Sequence, residues 1–172
     1  MPRMLELFCG LGGWSESFAA RGWHTTGVDV VAHGYRGHSF IQTDCRALAP
    51  EFIASFDAVL ASPPCEDFAR AWLPWLRGDH QPSAESIELL QWSVALANRP
   101  RFLVECSRFG ARHCPGSYCI GSYALWGDVP LLFPGWPRSK SRKSGLRPEL
   151  RAVIPPALAD TVADWFTAGL HQ

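Results

Sequence analysis

Apolar runs in this chain are short, and glycine, proline or aspartate closes most of them. Met4-Leu5-Glu6-Leu7-Phe8-Cys9 reads as a buried strand, and Gly12-Gly13 then opens a helix over Trp14 to Arg21 that Gly22 stops. Trp23 to Val30 forms a second strand ending in Asp29, and Phe40-Ile41-Gln42 a short third ending near Asp44. The intervening segment is rich in Gly and His, so any helix there is short or absent. Asp57 to Ala61 gives a fourth strand. The periodic run Ala84 to Asn98 is the clearest helix, with Pro82 and Ser83 at its start, and Arg101 to Glu105 is a fifth strand. This alternation specifies an α/β fold, a mostly parallel sheet with right-handed crossovers and helices on both faces. Beyond Glu105 the pattern dissolves into Gly, Pro, Cys and aromatic residues up to Pro137, leaving room for short strands around Ser122–Leu125 and Val129–Phe133. A final helix over Pro156–Leu170 is predicted from Pro at its start, Ala157, Leu158, Val162, Trp165 and Phe166 at helical spacing, and Gly169 near its end.

At 172 residues, 47% hydrophobic and 19% charged, the chain reads as one domain over 1–172 with one sizeable core and no internal repeat. Sixteen basic and sixteen acidic residues give a formal net charge of zero, so no global field draws it to nucleic acid. Local attraction is left to Arg138, Lys140, Arg142, Lys143, Arg147 and Arg151, opposed in that stretch only by Glu149. A solvated surface loop has the same composition. Six cysteines with no signal peptide ahead of the first strand point to free thiols in a reducing, cytoplasmic compartment, and no apolar run approaches a membrane span.

Two motifs carry candidate chemistry. In an open parallel sheet the first turn needs glycines so that backbone can approach a ligand, and Gly10, Gly12 and Gly13 fit. Asp29 lies 19 positions after Gly10, the place of an acid that accepts from ribose hydroxyls. The glycines do not follow the G-x-G-x-x-G dinucleotide spacing. The second motif is Ser62-Pro63-Pro64-Cys65, directly after the fourth strand. A cysteine held at a strand end by two prolines, in one fold with a cofactor loop, is the arrangement expected of a nucleophilic thiolate; the plain alternative is a small buried hydrophobe.

The ordered set Phe8-Cys9-Gly10-Leu11-Gly12-Gly13, Gly27-Val28-Asp29, Asp44, Pro64-Cys65, Phe102-Leu103-Val104-Glu105 and Arg151 to Ala159 resembles the cytosine-5 DNA methyltransferase family. The resemblance implies a Rossmann-like fold and S-adenosylmethionine as cofactor. Phe8 would then pack near the cofactor, Asp44 would accept from the adenine amino group, and Pro64 would border the pocket, although Asp44 is equally placed to cap a helix from Cys45. Cys65 matches the nucleophile that adds to cytosine carbon 6, and Glu105 the acid at ring nitrogen 3. Glu105 could otherwise serve as a structural partner for an arginine.

The target base must leave the duplex. The segment about 66–82, with Phe68, Arg70, Trp72, Trp75 and Arg77, mixes aromatics and cations suited to bases and phosphates, or to anchoring the loop. Arg70, Trp72, Trp75, Arg142 and Lys143 are the candidate substrate contacts. An irregular segment of about 106–151 stands where the resembled enzymes carry a target-recognition domain, so a dimer or partner subunit would be one way to supply specificity.

The chain departs from the family pattern at Glu66 and Ala69, at Cys106, where the family has an Asn bracing the nucleophile loop, and in lacking a Gln-Arg-Arg strand. The expected activity is methyl transfer to cytosine in duplex DNA, as in compact phage or bacterial modification enzymes. The alternatives are another pyrimidine substrate (RNA, single-stranded DNA or a nucleotide), or an inactive nucleic-acid-binding subunit. No metal is expected, since Cys106, His113, Cys114 and Cys119 match no standard zinc spacing.

Overall fold

The computed structural model describes residues 1–70, 81–130 and 154–171. Strands β1 (Arg3–Leu7), β2 (His24–Asp29), β3 (Ser39–Gln42), β4 (Ala58–Ala61), β5 (Phe102–Ser107), β6 (Tyr118–Ile120) and β7 (Tyr123–Gly127) form one sheet. Its order is β3-β2-β1-β4-β5-β7-β6. The first five strands pair in parallel, and β7 enters antiparallel between β5 and β6. The fold is Rossmann-like, as the alternation of elements requires.

Helices α1 (Gly13–Ala19), α2 (Pro50–Ala54), α3 (Glu66–Arg70), α4 (Ala84–Leu96) and α5 (Pro156–Ala168) cover both faces. Successive strand residues point to opposite faces, so each strand feeds two cores. Leu5, Leu7, Val59, Ala61, Phe102 and Val104 pack with Ile53, Phe68 and Leu90 on the face of α2, α3 and α4. Met4, Ala58, Leu60 and Leu103 pack with Trp14, Phe18, Leu158, Val162 and Phe166 on the face of α1 and α5. Burial on both faces explains why the sequence shows continuous apolar runs instead of a period of two.

Among the described residues no helix lies between β2 and β3, and Ser83 caps α4 by accepting from the Ser86 amide. Four expectations need correction. Residues 66–70, at the start of the expected substrate loop, are helical, because Phe68 drops into the core and the acids Glu66 and Asp67 sit in the first turn. The short α2 went unpredicted, with Pro50 in the first turn, where a missing amide costs nothing. In the segment expected to be irregular, β5 runs on to Ser107 and β6 was hidden by its three-residue length. Finally, Val129 belongs to no strand, and 131–133 lie outside the described residues. No described helix is long and apolar enough to cross a membrane.

Candidate active site

The chain runs from β1 through β2 to β3 in one direction along the sheet and from β4 to β5 in the other. A crevice therefore opens where β1 and β4 lie side by side, outside their carboxyl ends. The cavity there measures about 630 Å³, within the range that encloses a nucleoside-sized ligand. Its wall includes Phe8, Gly10, Gly13, Asp29, Asp44 and Pro64 from the predicted cofactor set, together with Cys65 and Glu105.

The turn after β1 supplies the first part of that wall. Phe8 and Gly10 adopt left-handed backbone, with φ of 57° and 51°. A β-carbon at Gly10 would meet nothing within 4 Å, so bare backbone faces the cavity at that point. Asp29 fixes the turn: one carboxylate oxygen accepts from the Gly10 amide at 3.0 Å and the other from the Val31 amide at 3.2 Å. Each oxygen keeps further acceptor capacity for a ligand. The Phe8 ring meets Trp92 of α4 edge-on, with centroids 6.3 Å apart.

Gly12 has a different role from the one expected. It is not among the lining residues, and its amide donates to Cys9 O at 2.8 Å. A β-carbon there would come 2.9 Å from the Tyr35 ring, and β-carbons at Gly27 and Gly37 would come within 2.5 Å and 2.2 Å of Tyr35. Three glycines, one of them only two residues on, thus form a cradle for Tyr35, whose hydroxyl shares a hydrogen bond with Ser15 Oγ.

Glu6 is the main residue that sequence reasoning missed. It is 2% exposed, lies in the middle of β1 and reaches the cavity wall. Its carboxyl accepts from the Trp14 amide at 3.3 Å and from the Ser15 amide at 3.0 Å, and Ser15 Oγ donates to it as well. Glu6 therefore caps α1 from a neighbouring strand, a role that Gly12 at the N-cap has no side chain to fill. Burial pushes its pKa up to about 7, against the opposing pull of these hydrogen bonds. The available signal was a lone acid inside a run otherwise suited to burial on both faces.

The second part of the wall is the turn from β4 to α3. Trp14 Nε1 donates to Ser62 Oγ at 3.0 Å, tying this turn to α1. Pro63 is buried and Pro64 exposed, and the half-buried Cys65 precedes α3, its carbonyl accepting from the Ala69 amide at 3.2 Å. Glu105 is 2% exposed on β5. Cys9 and Cys45 also line the cavity, but desolvation raises both thiols, Cys45 to about 12, which leaves them protonated at neutral pH.

Asp44 plays the capping part the sequence allowed. It accepts from the Arg46 amide and pairs with the Arg46 guanidinium at 2.6 Å, which holds its carboxyl below the usual range. An adenine amino group would compete with that pair for the same oxygens. Arg70 lies outside the cavity wall, and its guanidinium pairs with Glu66 at 3.8 Å. Trp72, Trp75, Arg142 and Lys143 lie outside the described residues, as does the basic stretch from Arg138 to Arg151. Among the described residues no group of three or more His, Cys, Asp or Glu could hold a metal ion.

No family model matches this chain, and no curated protein matches it. Solved structures do. One, described as a DNA modification methyltransferase encoded within a prophage (E. coli), is 17% identical with a TM-score of 0.44; the match covers 69% of this chain and 39% of that one. The Dnmt2 methyltransferase of S. pombe is 16% identical with a TM-score of 0.43, over 77% of this chain and 53% of its own. A protein described as an NADH-flavin reductase from Streptococcus pneumoniae is 23% identical with a TM-score of 0.39, over 60% and 46%. The chain spans less than two thirds of the length of each. At such identities and scores the activity has to be argued from this chain's own residues.

Proposed function

We propose that this protein transfers the methyl group of S-adenosylmethionine to carbon 5 of cytosine in DNA through a covalent adduct on Cys65. The observation that carries the reading is the shared cavity: the glycine turn with Asp29 and the Pro64-Cys65 turn with Glu105 open into the same space of about 630 Å³. A thiol and a nucleoside-type site placed apart would support nothing of the kind.

The residues present fit the cofactor. Gly10 leaves bare backbone toward the cavity, Asp29 keeps acceptor capacity for ribose hydroxyls, and Phe8 and Pro64 add apolar wall. Gly13 also borders the space, as does Asp44, the residue that the family resemblance makes the adenine acceptor. When bound, S-adenosylmethionine supplies an electrophilic methyl group.

The chain's own residues do the rest. Cytosine carbon 5 is a poor nucleophile, so the Cys65 thiolate adds to carbon 6 and makes carbon 5 enamine-like. Glu105, 2% exposed on β5, hydrogen bonds to ring nitrogen 3 and offsets the negative charge that builds there. Once carbon 5 carries the methyl group, loss of its proton to a base returns the electron pair that expels Cys65 as thiolate.

The test is transfer of isotope-labelled methyl to duplex DNA, with digestion to nucleosides. Label in 5-methylcytosine that Cys65→Ala abolishes, with cofactor affinity retained, supports the reading. Cofactor binding without transfer to any nucleic acid refutes it. The same reading extends to a second substrate class, RNA, single-stranded DNA or a nucleotide. The wall carries Glu6, Asp29, Asp44, Glu66, Glu85 and Glu105, while its arginine, Arg46, is paired with Asp44, so the phosphates of duplex DNA and of each of these substrates alike would be held outside it. Competition between these substrates and duplex DNA separates the two.

A further inference from the structure

Helix α3, which follows Cys65, is described over Glu66–Arg70, and its placement over that stretch is set by tertiary contacts. The Cys65 carbonyl belongs to its first turn through the bond from the Ala69 amide, so any rotation of α3 carries the thiol with it. One anchor is Phe68, 1% exposed in the core, with His113 against its ring at 5.5 Å. A single anchor leaves rotation about that contact open.

The adjacent residue supplies a second. Asp67 Oδ2 accepts from the Ser83 amide at 2.6 Å and from Ser86 Oγ at 2.9 Å. Ser83 Oγ in turn donates to Ser86 Oγ at 2.9 Å and accepts from the Ser86 amide at 3.2 Å. One carboxylate oxygen thus ties α3 to the capped start of α4, where negative charge is favoured by the helix dipole. Successive residues of a helix point about 100° apart, so anchors at Asp67 and Phe68 fix both the position and the rotation of α3. The same stretch of α4 contributes Glu85 and Ser86 to the cavity that Cys65 and Glu66 also line.

We propose that Asp67 is the positioning residue for the Cys65 thiol, holding the nucleophile turn to the first turn of α4 through Ser83 and Ser86. The inference rests on Cys65 being the attacking thiol.

Four readouts on the full chain test it: kcat and KM for methyl transfer, cofactor Kd, melting temperature, and the rate of Cys65 alkylation by iodoacetamide, mapped by mass spectrometry with exposed Cys119 as internal control. Asp67→Ala is expected to lower kcat by about ten- to a hundred-fold, with cofactor Kd changed less than about two-fold. The alkylation rate at Cys65 changes while that at Cys119 does not. Asp67→Asn keeps an acceptor oxygen and recovers kcat to within about three-fold, and Ser86→Ala, which removes one of the bonds, falls between.

The proposal is overturned if Asp67→Ala leaves kcat and Cys65 alkylation unchanged. It is equally overturned if losses in all three variants simply follow melting temperature. If the parent transfers no methyl group, the methyl-transfer reading has failed, and Cys65 alkylation with the Asn rescue still decides the clamp.

Discussion

Gly27 sits in the middle of β2 with ordinary strand backbone, so Gly27→Ala probes packing alone. The new β-carbon would lie 2.5 Å and 2.7 Å from Tyr35 ring atoms and 2.8 Å from Cys9 Sγ. The ring cannot yield freely, because its hydroxyl is bonded to Ser15 and its other sides meet Gly12 and Gly37. Overpacking of this kind costs about 1–3 kcal/mol, and a displaced Tyr35 loses a hydrogen bond worth about 1 kcal/mol. Against this, replacing glycine restricts the unfolded chain and returns about 0.4–1 kcal/mol. The net is about 2 kcal/mol, or a fall in Tm of about 4–8 °C for a chain of this size. The decisive assay is a double-mutant cycle by urea unfolding. In a Tyr35→Ala background the clash reduces to Cys9 Sγ, and Gly27→Ala should cost at least about 1 kcal/mol less than in the parent. Additivity within about 0.5 kcal/mol would refute the cradle.

Burial raises Glu6 from 4.5 to about 7, so the folded protein holds a proton that the unfolded chain releases between those values. Its contribution to stability is complete below pH 4.5 and declines as pH climbs to about 7, by up to about 3 kcal/mol. Unfolding free energies compared at these pH values should show that decline in the parent and a flatter profile in Glu6→Gln; parallel profiles would contradict it. Under the proposed function, Asp29→Ala loses the brace on Gly10 together with the proposed ribose acceptor, and calorimetry should find S-adenosylmethionine affinity weaker by about ten-fold or more, with Asp29→Asn intermediate. Thiol alkylation at neutral pH should reach Cys65 and Cys119 well before Cys9 and Cys45, whose thiols burial holds protonated; early modification of Cys9 would count against the site as described.

Strands β1, β4 and β5 were legible because burial on both faces writes near-continuous apolar runs into the sequence, and the flanking Gly, Pro and Asp mark the ends of the parallel strands. The edge strand β6 was not, since three largely exposed residues carry no period. In the site, both turns could be read from local motifs. What could not be read joins separate elements: the cradle of Gly12, Gly27 and Gly37 around Tyr35, the cap that Glu6 places on α1, and the Asp67 bridge to Ser83 and Ser86. A lone acid in a buried run signals that Glu6 is paired without naming the helix it caps, and a glycine that accommodates a ring has no signature in its own neighbourhood.

One face of the sheet is completed late in the chain. Trp14 and Phe18 of α1 pack with Leu158, Val162 and Phe166 of α5, and Arg21 grips Asp160 and Asp164 at 3.0 Å and 2.6 Å. During synthesis, therefore, the apolar side of β1 and β4 beneath α5 stays uncovered until residues near 166 have left the ribosome. Contacts spanning more than 130 positions make for slow closure, and a nascent chain stalled before Pro156 presents a sticky sheet to its neighbours. Chaperone dependence and aggregation of such truncated chains follow from where α5 falls in the order of translation.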